Sequence, residues 1–203
     1  MTYLEYSFNE NNNRDSARKT LENIIFSMAE KHYNKKNLII AREENKKPYF
    51  KNEYNIRFNG THTSLLFVAV MTDEYEAGID AEKIRKRDFF SIAKEYFYKS
   101  EIEYLKASRK LEIDFFTIWT LKEAYIKMLG KTVFDIKNSP EIDLTERVIK
   151  NADNLFFASF IIDGSYIVSV CFNAKDEINL NLQDFNLNII FAYPVLPIIN
   201  ISI

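Results

Sequence analysis

The chain has 203 residues, 47% of them hydrophobic, with only four glycines and four prolines, which excludes a disordered chain and favours a well-packed core. The formal net charge of −2 excludes a global attraction to nucleic acid or to an anionic membrane, so an anionic ligand requires a local cluster of basic residues. Cys171 is the only cysteine, which excludes an internal disulfide, and the N-terminus lacks the pattern of a signal peptide. We therefore expect a cytoplasmic protein.

Hydrophobic periodicity in the first half predicts one helix and three strands. The helix runs from a cap at Asp15 to about Tyr33, and the strands cover 38–41, 65–70 and 75–84. Because Thr72-Asp-Glu is a turn sequence, the last two strands are expected to pair with each other as a hairpin. Alternation along the second of them places Asp80 and Glu82 on one face, so this hairpin is predicted to present two adjacent carboxylates.

The second half predicts three helices and another hairpin. The first helix covers 89–97, and a capping box at Ser100–Glu103 begins the second. A long helix at 113–129 follows and ends at Gly130. A weak strand at 142–144 precedes two strands at 156–162 and 166–172, which Asp163-Gly164 joins as a hairpin. The apolar C-terminal stretch 189–203 is too short for a membrane helix and predicts a covering strand or a docked tail. The fold class is α+β, with two similar lobes at 1–95 and 96–203.

The long helix is expected to be anchored by one side and reactive on the other. Its apolar stripe consists of Ile118, Leu121, Tyr125, Met128 and Leu129. Glu123 and Lys127 lie one turn apart on roughly the opposite face. Three carboxylates, from Asp80, Glu82 and Glu123, are hard oxygen donors of the kind that Mg²⁺ selects. From spacing alone, a solvated strand edge and a surface pair worth about 0.2–0.5 kcal/mol explain the same residues.

Two motifs and their flanking segments resemble the signature of the 4′-phosphopantetheinyl transferases. Gly78-Ile-Asp-Ala-Glu82 is followed by Glu123 within Trp119-Thr-Leu-Lys-Glu-Ala-Tyr-Ile-Lys127. The flanking matches are Lys46-Lys-Pro48, Phe58-Asn-Gly-Thr-His-Thr63, Tyr96-Phe-Tyr-Lys-Ser-Glu101 and Gly130-Lys131. The resemblance covers about Asp15 to Phe172 and favours the surfactin-synthetase type, which is one chain of two pseudo-symmetric lobes with the active site between them.

That resemblance implies a Mg²⁺-dependent enzyme that transfers phosphopantetheine from coenzyme A to a serine of an acyl or peptidyl carrier protein. It implies that Asp80, Glu82 and Glu123 hold the metal, that Glu123, directly or through a water on the metal, is the base, and that Lys127 stabilises charge on the leaving side. The residues implied to contact coenzyme A are Lys19, Thr20, Lys47, Thr61, His62 and Lys122. We expect a monomer with no nucleic-acid or membrane partner.

Carrier docking and two alternatives complete the sequence-based hypotheses. The aromatic residues Phe89 and Phe90, the stretch 131–142 and the basic run 83–87 flank the implied site and are candidates for carrier docking. The short segment before the first helix, and the threonines at 61 and 63 where serines are usual, suggest as an alternative a catalytically degenerate protein that binds coenzyme A or a carrier. Another Mg²⁺-dependent phosphate enzyme, such as a hydrolase, fits the carboxylates but not the flanking segments.

Overall fold

The chain has an α+β fold, which a computed structural model describes for residues 1–9, 14–44, 46–174, 178–182, 187–194 and 198–201. Its helices are α1 (Arg14–Tyr33), α2 (Phe89–Tyr96), α3 (Lys99–Ala107) and α4 (Leu111–Met128), with a 3-10 segment at Val133–Asn138. Its strands are β1 (Thr2–Phe8), β2 (Ile40–Ala41), β3 (Tyr49–Phe50), β4 (Arg57–Thr63), β5 (Leu66–Thr72), β6 (Ala77–Lys83), β7 (Glu141–Asp143), β8 (Val148–Lys150), β9 (Leu155–Ile162), β10 (Tyr166–Asn173), β11 (Asn179–Leu182), β12 (Leu187–Tyr193) and β13 (Ile198–Ile201).

Two larger sheets organise the strands. The first has the order β13-β11-β1-β5-β4, in which the pairs of β11 with β1 and with β13 are parallel and the others are antiparallel. The second is an antiparallel sheet with the order β12-β9-β10-β6. Strand β4 is therefore an edge of the first sheet and β6 an edge of the second.

Three apolar clusters give the fold its layers. One cluster lies between the two sheets and includes Val68 and Val70 of β5 together with Val168 and Val170 of β10. A second fills the space between α1 and the outer face of the five-stranded sheet, and a third joins α4 to the outer face of the four-stranded sheet. The order of layers is thus α1, five-stranded sheet, four-stranded sheet, α4, and each sheet is covered by a helix on one side only.

Several predicted elements are confirmed. Helices α1, α2 and α4 and strands β9 and β10 begin and end within two residues of their expected bounds. Gly130 ends α4 with a φ of +69°, and the turn between β9 and β10 has φ values of 49° at Asp163 and 58° at Gly164. Asp and Gly adopt left-handed backbone more readily than most residues, which explains why Asp163-Gly164 was a reliable turn signal.

The predicted pairing of β5 with β6 is wrong. Strand β5 pairs with β1 on one side and with β4 on the other, whereas β6 crosses to the second sheet and pairs with β10. All seven residues of β5 are buried, so this strand lies in the interior of its sheet and requires a neighbour along each edge. Neither β1 nor β4 was predicted as a strand, and β6 was the predicted strand nearest to β5 in the chain.

Three smaller expectations also change. Glu101 closes the start of α3 by accepting a hydrogen bond from the Tyr98 backbone N–H (2.8 Å), so the predicted box at Ser100–Glu103 is placed two residues too late. Helix α4 is buried on almost every side, while Leu129, from its predicted apolar stripe, is 44% exposed. The C-terminal stretch forms strands β12 and β13, and its residues 195–197 and 202–203 lie outside the described part. In that described part, no helix combines the length and the apolar character needed to span a membrane.

Candidate functional site

The candidate site is built on a close approach of strand β6 and helix α4. A Cβ atom added at Gly78 would lie 2.0 Å from the Ala124 carbonyl oxygen and 2.4 Å from the Met128 backbone nitrogen. Only glycine therefore allows the strand to lie this close to the helix backbone. Because alternate residues of a strand share a face, the contact at Gly78 also turns Asp80 and Glu82 towards α4.

Asp80, Lys127 and Thr61 form one hydrogen-bonded group where β6, α4 and β4 meet. The Lys127 ammonium donates to Asp80 Oδ1 at 2.6 Å and to Thr61 Oγ1 at 3.1 Å, so the two side chains share this donor. Asp80 is only 6% exposed. The structure thus brings together residues from both sequence motifs and from the segment that precedes them.

Asn59 joins the two sheet edges beside this group. Its side-chain oxygen accepts a hydrogen bond from the Ile79 backbone N–H at 3.2 Å, and the residue is buried. An edge strand has backbone donors with no partner in its own sheet, so a side chain from β4 replaces the missing neighbour of β6. This role was not predicted, because β4 itself was not recognised as a strand.

Burial raises the pKa of all three carboxyl groups, and the charge of Asp80 adds to the shift for Glu82 and Glu123. Burial is the largest cause for Asp80, with Lys127 opposing it. Burial and the charge of Asp80 raise the pKa of Glu82, while Arg87 and Arg85 lower it. For Glu123, burial and then the charge of Asp80 raise the pKa to about 7. The three acids therefore influence one another and lack sufficient positive charge nearby.

The geometry of these acids is not that of a ready metal cage. Among the described residues, no group of three histidine, cysteine, aspartate or glutamate side chains is arranged to hold a metal ion. The Oδ1 oxygen of Asp80 instead forms an ion pair with the Lys127 ammonium. The three side chains are all carboxylates with little positive charge around them, so their chemistry fits a hard divalent cation. Their positions in this structure instead suit the ion pair with Lys127.

A chain of buried hydroxyl groups lies beneath Asp80. Ser169 is the residue of β10 paired with Asp80, and its Oγ lies 2.6 Å from Thr120 Oγ1 of α4 and 2.6 Å from Ser159 Oγ of β9. Thr120 also donates to the Phe116 carbonyl at 2.8 Å. These hydroxyl groups tie the helix to the sheet without adding charge, and the sequence pattern did not single them out.

Lys122 is corrected from a ligand contact to a structural residue. Its side chain is completely buried, and its Nζ lies 3.0 Å from Glu101 Oε1 and 3.1 Å from the Pro140 carbonyl oxygen. The ammonium also lies 4.7 Å from the centre of the Tyr98 ring. A phosphate has no access to this group, because α3 and the segment after the 3-10 turn enclose it. Burial lowers the pKa of Lys122, and the charge of Glu101 opposes that shift.

Lys47 also has partners within the protein. Its ammonium donates to Glu76 Oε2 at 2.9 Å and to the carbonyl oxygens of Ala77 and Met128, each at 3.0 Å. Met128 is the last residue of α4, so Lys47 supplies a positive charge to the negative end of the helix dipole. To contact coenzyme A as predicted, Lys47 has to give up hydrogen bonds to these three acceptors.

The remaining predicted ligand contacts lie on two other elements. His62 is exposed on β4, one residue beyond Thr61, and its ring stacks on Phe67 with centroids 5.3 Å apart. Lys19 is exposed on α1, and Thr20 accepts a hydrogen bond from the Asn9 side chain at 2.9 Å. Thr61 therefore lies beside the acidic group, and His62 follows it on β4. Lys19 and Thr20 belong to α1, the helix on the outer face of the first sheet.

The predicted docking residues separate into buried and exposed ones. Phe89 is 6% exposed and packs against Phe115 with ring centroids 4.8 Å apart, so it belongs to the core and is removed from the docking candidates. Phe134, in the stretch after α4, is 80% exposed. In the basic run, Arg85 donates to Glu82 at 3.2 Å and is partly engaged with the acidic group itself.

The comparisons with known proteins agree with the motifs. A model of the 4′-phosphopantetheinyl transferase superfamily matches residues 76–171. The 4′-phosphopantetheinyl transferase gsp of Aneurinibacillus migulanus is 34% identical over 109 residues, which cover 53% of this chain and 44% of the relative. The transferase psf-1 of Bacillus pumilus is 28% identical over 142 residues, covering 66% and 60% respectively. The transferase Sfp of Bacillus subtilis is 24% identical over 170 residues, covering 78% and 75%.

The chain spans about half of the length of the first of these relatives and somewhat more of the second. The matched region begins one residue before β6 and ends within β10, so it includes β6, α4 and the three carboxylates. Over this region, these matches and the two acidic motifs inside them make the chain similar to the 4′-phosphopantetheinyl transferase superfamily.

Proposed function

We propose that this protein transfers the 4′-phosphopantetheine moiety of coenzyme A to a serine of an acyl or peptidyl carrier protein and so converts the apo carrier to the holo form. The observation that carries the proposal is the meeting of Asp80, Glu82, Glu123 and Lys127 at the crossing of β6 and α4. Buried acids beside a lysine suit a reaction in which negative charge on phosphate must be neutralised and oriented. The relatives that match this region are named as such transferases.

The architecture that accompanies this function is two similar lobes related by a pseudo-two-fold axis, at 1–95 and 96–203. The layer order supports it, because each lobe contributes one long helix that covers the outer face of one sheet. The site then lies between the lobes, since Thr61 and Asp80 come from the first and Lys127 from the second. Strand β6 belongs to the first lobe by sequence and to the second by pairing.

Asp80, Glu82 and Glu123 are the residues that would hold Mg²⁺. When bound, this ion would neutralise the pyrophosphate of coenzyme A and favour departure of adenosine 3′,5′-bisphosphate. The acids suit this role because they are partly or fully buried and their mutual repulsion calls for a cation.

Glu123 is the candidate base and Lys127 the candidate charge stabiliser. The serine oxygen of the carrier forms a bond to the phosphorus atom that bears pantetheine, while the bond from that phosphorus to the bridging oxygen breaks. Glu123, directly or through a water, takes the hydroxyl proton. Lys127 lies on the next turn of α4 with its side chain 29% exposed, and its ammonium stabilises the charge that develops on the leaving bisphosphate.

The other contacts to coenzyme A follow from position. Thr61 and His62 on β4 would bind phosphate oxygens beside Asp80, and Lys19 and Thr20 on α1 would meet the 3′-phosphate. We expect the protein to act as a monomer in the cytoplasm, with coenzyme A and the carrier as its substrates. The exposed Phe134 and the basic residues 83–87 provide an apolar and a basic element suited to an acidic carrier protein.

The test is transfer to apo-carrier proteins, measured as a mass gain of one phosphopantetheine. We expect wild-type protein with coenzyme A and Mg²⁺ to modify at least one member of a panel of acyl and peptidyl carriers. Asp80→Asn and Glu123→Gln should abolish transfer with the fold intact by circular dichroism. Asp163→Asn, a matched change in the β9–β10 turn, should leave transfer unchanged.

The same assay separates the alternative function. If no carrier in the panel gains mass, while coenzyme A binds tightly and without regard to Mg²⁺, the protein is a binding module and not a transferase. Near-normal transfer by Glu123→Gln in the presence of Mg²⁺ would refute the assignment of both metal ligand and base.

A further inference from the structure

The Oδ1 oxygen of the buried Asp80 is paired with the ammonium of Lys127, a positive charge that the protein itself supplies. The Lys127 ammonium lies 2.6 Å from Asp80 Oδ1, with Thr61 Oγ1 at 3.1 Å as its second acceptor. Asp80 is almost completely buried, whereas Lys127 keeps 29% of its side chain exposed. The positive charge therefore lies inside the acidic group, while its stem has a route to solvent.

Lys127 is the charge that the three acids share. It counteracts the raised pKa of Asp80, of Glu82 and of Glu123 alike. Arg85, by contrast, binds Glu82 from the outer side, at 3.2 Å. Burial already disfavours the charged form of the three acids, and without Lys127 they would also repel one another. In the absence of a metal ion, the inward position of Lys127 therefore stabilises the fold.

Lysine is also the residue type that can leave such a position. Its ammonium is a point charge on a flexible four-carbon stem, unlike the fixed fork of arginine. While the ammonium occupies Asp80 Oδ1, the described acids form no group able to hold a metal. Since a divalent cation and the ammonium cannot share Asp80 Oδ1, binding of a cation at this oxygen requires Lys127 to move away.

We propose that Lys127 holds the place of the divalent cation in the metal-free protein, and that cation binding releases its ammonium from Asp80. The released ammonium is then available to a pyrophosphate oxygen. This inference rests on the proposed function, because it takes the acids as metal ligands. It adds that the Lys127 ammonium competes with the metal for Asp80 before the reaction and stabilises the leaving group during it.

The experiment measures binding of Mn²⁺ alone, by electron paramagnetic resonance, with neither coenzyme A nor a carrier present. Lys127→Met removes the competing ammonium and should tighten Mn²⁺ binding about tenfold, the amount expected from loss of one charge-assisted hydrogen bond. Lys106→Met is the control, because it removes the same charge from an exposed pair with Glu103 on α3. It should leave the affinity close to that of the wild type.

A second measurement uses only the wild-type protein and does not depend on the folding of a variant. Acylation of each lysine by an amine-reactive ester is followed by mass spectrometry, with and without Mg²⁺. Mg²⁺ should increase modification of Lys127 several-fold, because its ammonium is released, and should leave Lys106 unchanged.

The outcomes separate this inference from the function on which it rests. Equal Mn²⁺ affinity of Lys127→Met and Lys106→Met proteins, or unchanged Lys127 acylation, overturns the place-holding role. Wild-type transfer to a carrier would in that case leave the proposed function standing. Failure of every protein to bind Mn²⁺ overturns both the place-holding role and the metal assignment.

Discussion

The crossing at Gly78 provides the sharpest test of how the site is assembled. In Gly78→Ala the new Cβ would lie 2.0 Å from the Ala124 carbonyl oxygen and 2.4 Å from the Met128 backbone nitrogen, whereas ordinary contacts begin near 3.4 Å. Both atoms belong to the α4 backbone, so no side chain can rotate aside. Strand β6 and helix α4 must separate by more than an ångström, or one of them must distort.

The expected cost is at the upper end of the range for overpacked cores, about 3 kcal/mol. For a chain of this length, each kcal/mol lowers the unfolding temperature by about 2–4 °C, so we expect a decrease of about 6–12 °C. The displacement also moves Asp80 relative to α4. A misplacement of about one ångström at a catalytic group reduces rates about a hundredfold, which is the expected loss of carrier transfer.

Gly60→Ala is the matched control for this prediction. Gly60 is also a strand glycine facing a helix, but the three atoms nearest to a Cβ there all belong to the flexible side chain of Leu21, the closest at 2.9 Å. Its cost should stay below about 1.5 kcal/mol. Thermal unfolding and carrier transfer are measured on both variants. Equal unfolding temperatures and equal transfer rates would refute the reasoning that backbone contact at Gly78 sets the site geometry.

Three further predictions concern residues around the site. Lys122→Met leaves the Glu101 charge buried alone and should lower the free energy of unfolding by about 3–5 kcal/mol in urea titrations, whereas replacing both residues by methionine should cost much less. Lys47→Met removes a charge from the end of α4 at Met128 and should cost about 1–2 kcal/mol, without raising the KM for coenzyme A if its role is structural. Phe134→Ser should raise the KM for the carrier several-fold with the KM for coenzyme A unchanged.

Each of these predictions has a control and a contradicting result. Lys106→Met removes a surface charge from α3 and should change stability by less than about 0.5 kcal/mol, so an equal effect of Lys122→Met would contradict the buried-pair argument. A Lys47→Met protein of normal stability but weakened coenzyme A binding would restore the ligand role. Tyr54, 70% exposed, supplies the control Tyr54→Ser, and equal carrier KM values in both variants would remove Phe134 from the docking surface.

Local signals predicted the parts of this fold that local physics determines. The period of α1 and the Asp163-Gly164 turn of β9 and β10 were identified correctly, because cap, period and turn depend on residues close in sequence. Alternation in β6 also placed Asp80 and Glu82 correctly on the face turned to α4. That face is confirmed by Gly78, which contacts the helix backbone from the same side of the strand.

Long-range pairing was beyond those signals. Asp80 is paired with Ser169, and nothing near either residue in the sequence identifies the other as its partner. The role of Lys122 was missed for a related reason: a lysine in a helix is usually solvated, and only its distant partner Glu101 makes burial tolerable. The resemblance had implied that Lys122 contacts coenzyme A, although Lys122 and Glu123, as consecutive helical residues, point in different directions.

Strand exchange explains why the candidate site depends on the whole chain. Strand β6, which carries Asp80, is paired with β10 and not with the strand that precedes it. In return, β11 pairs in parallel with β1 and extends the first sheet, with Thr2 opposite Leu180. Each sheet is therefore completed by a segment from the other half of the chain. Because Asp80 and Lys127 come from opposite halves of the chain and meet where β6 crosses α4, neither half alone supplies the acidic group and its lysine.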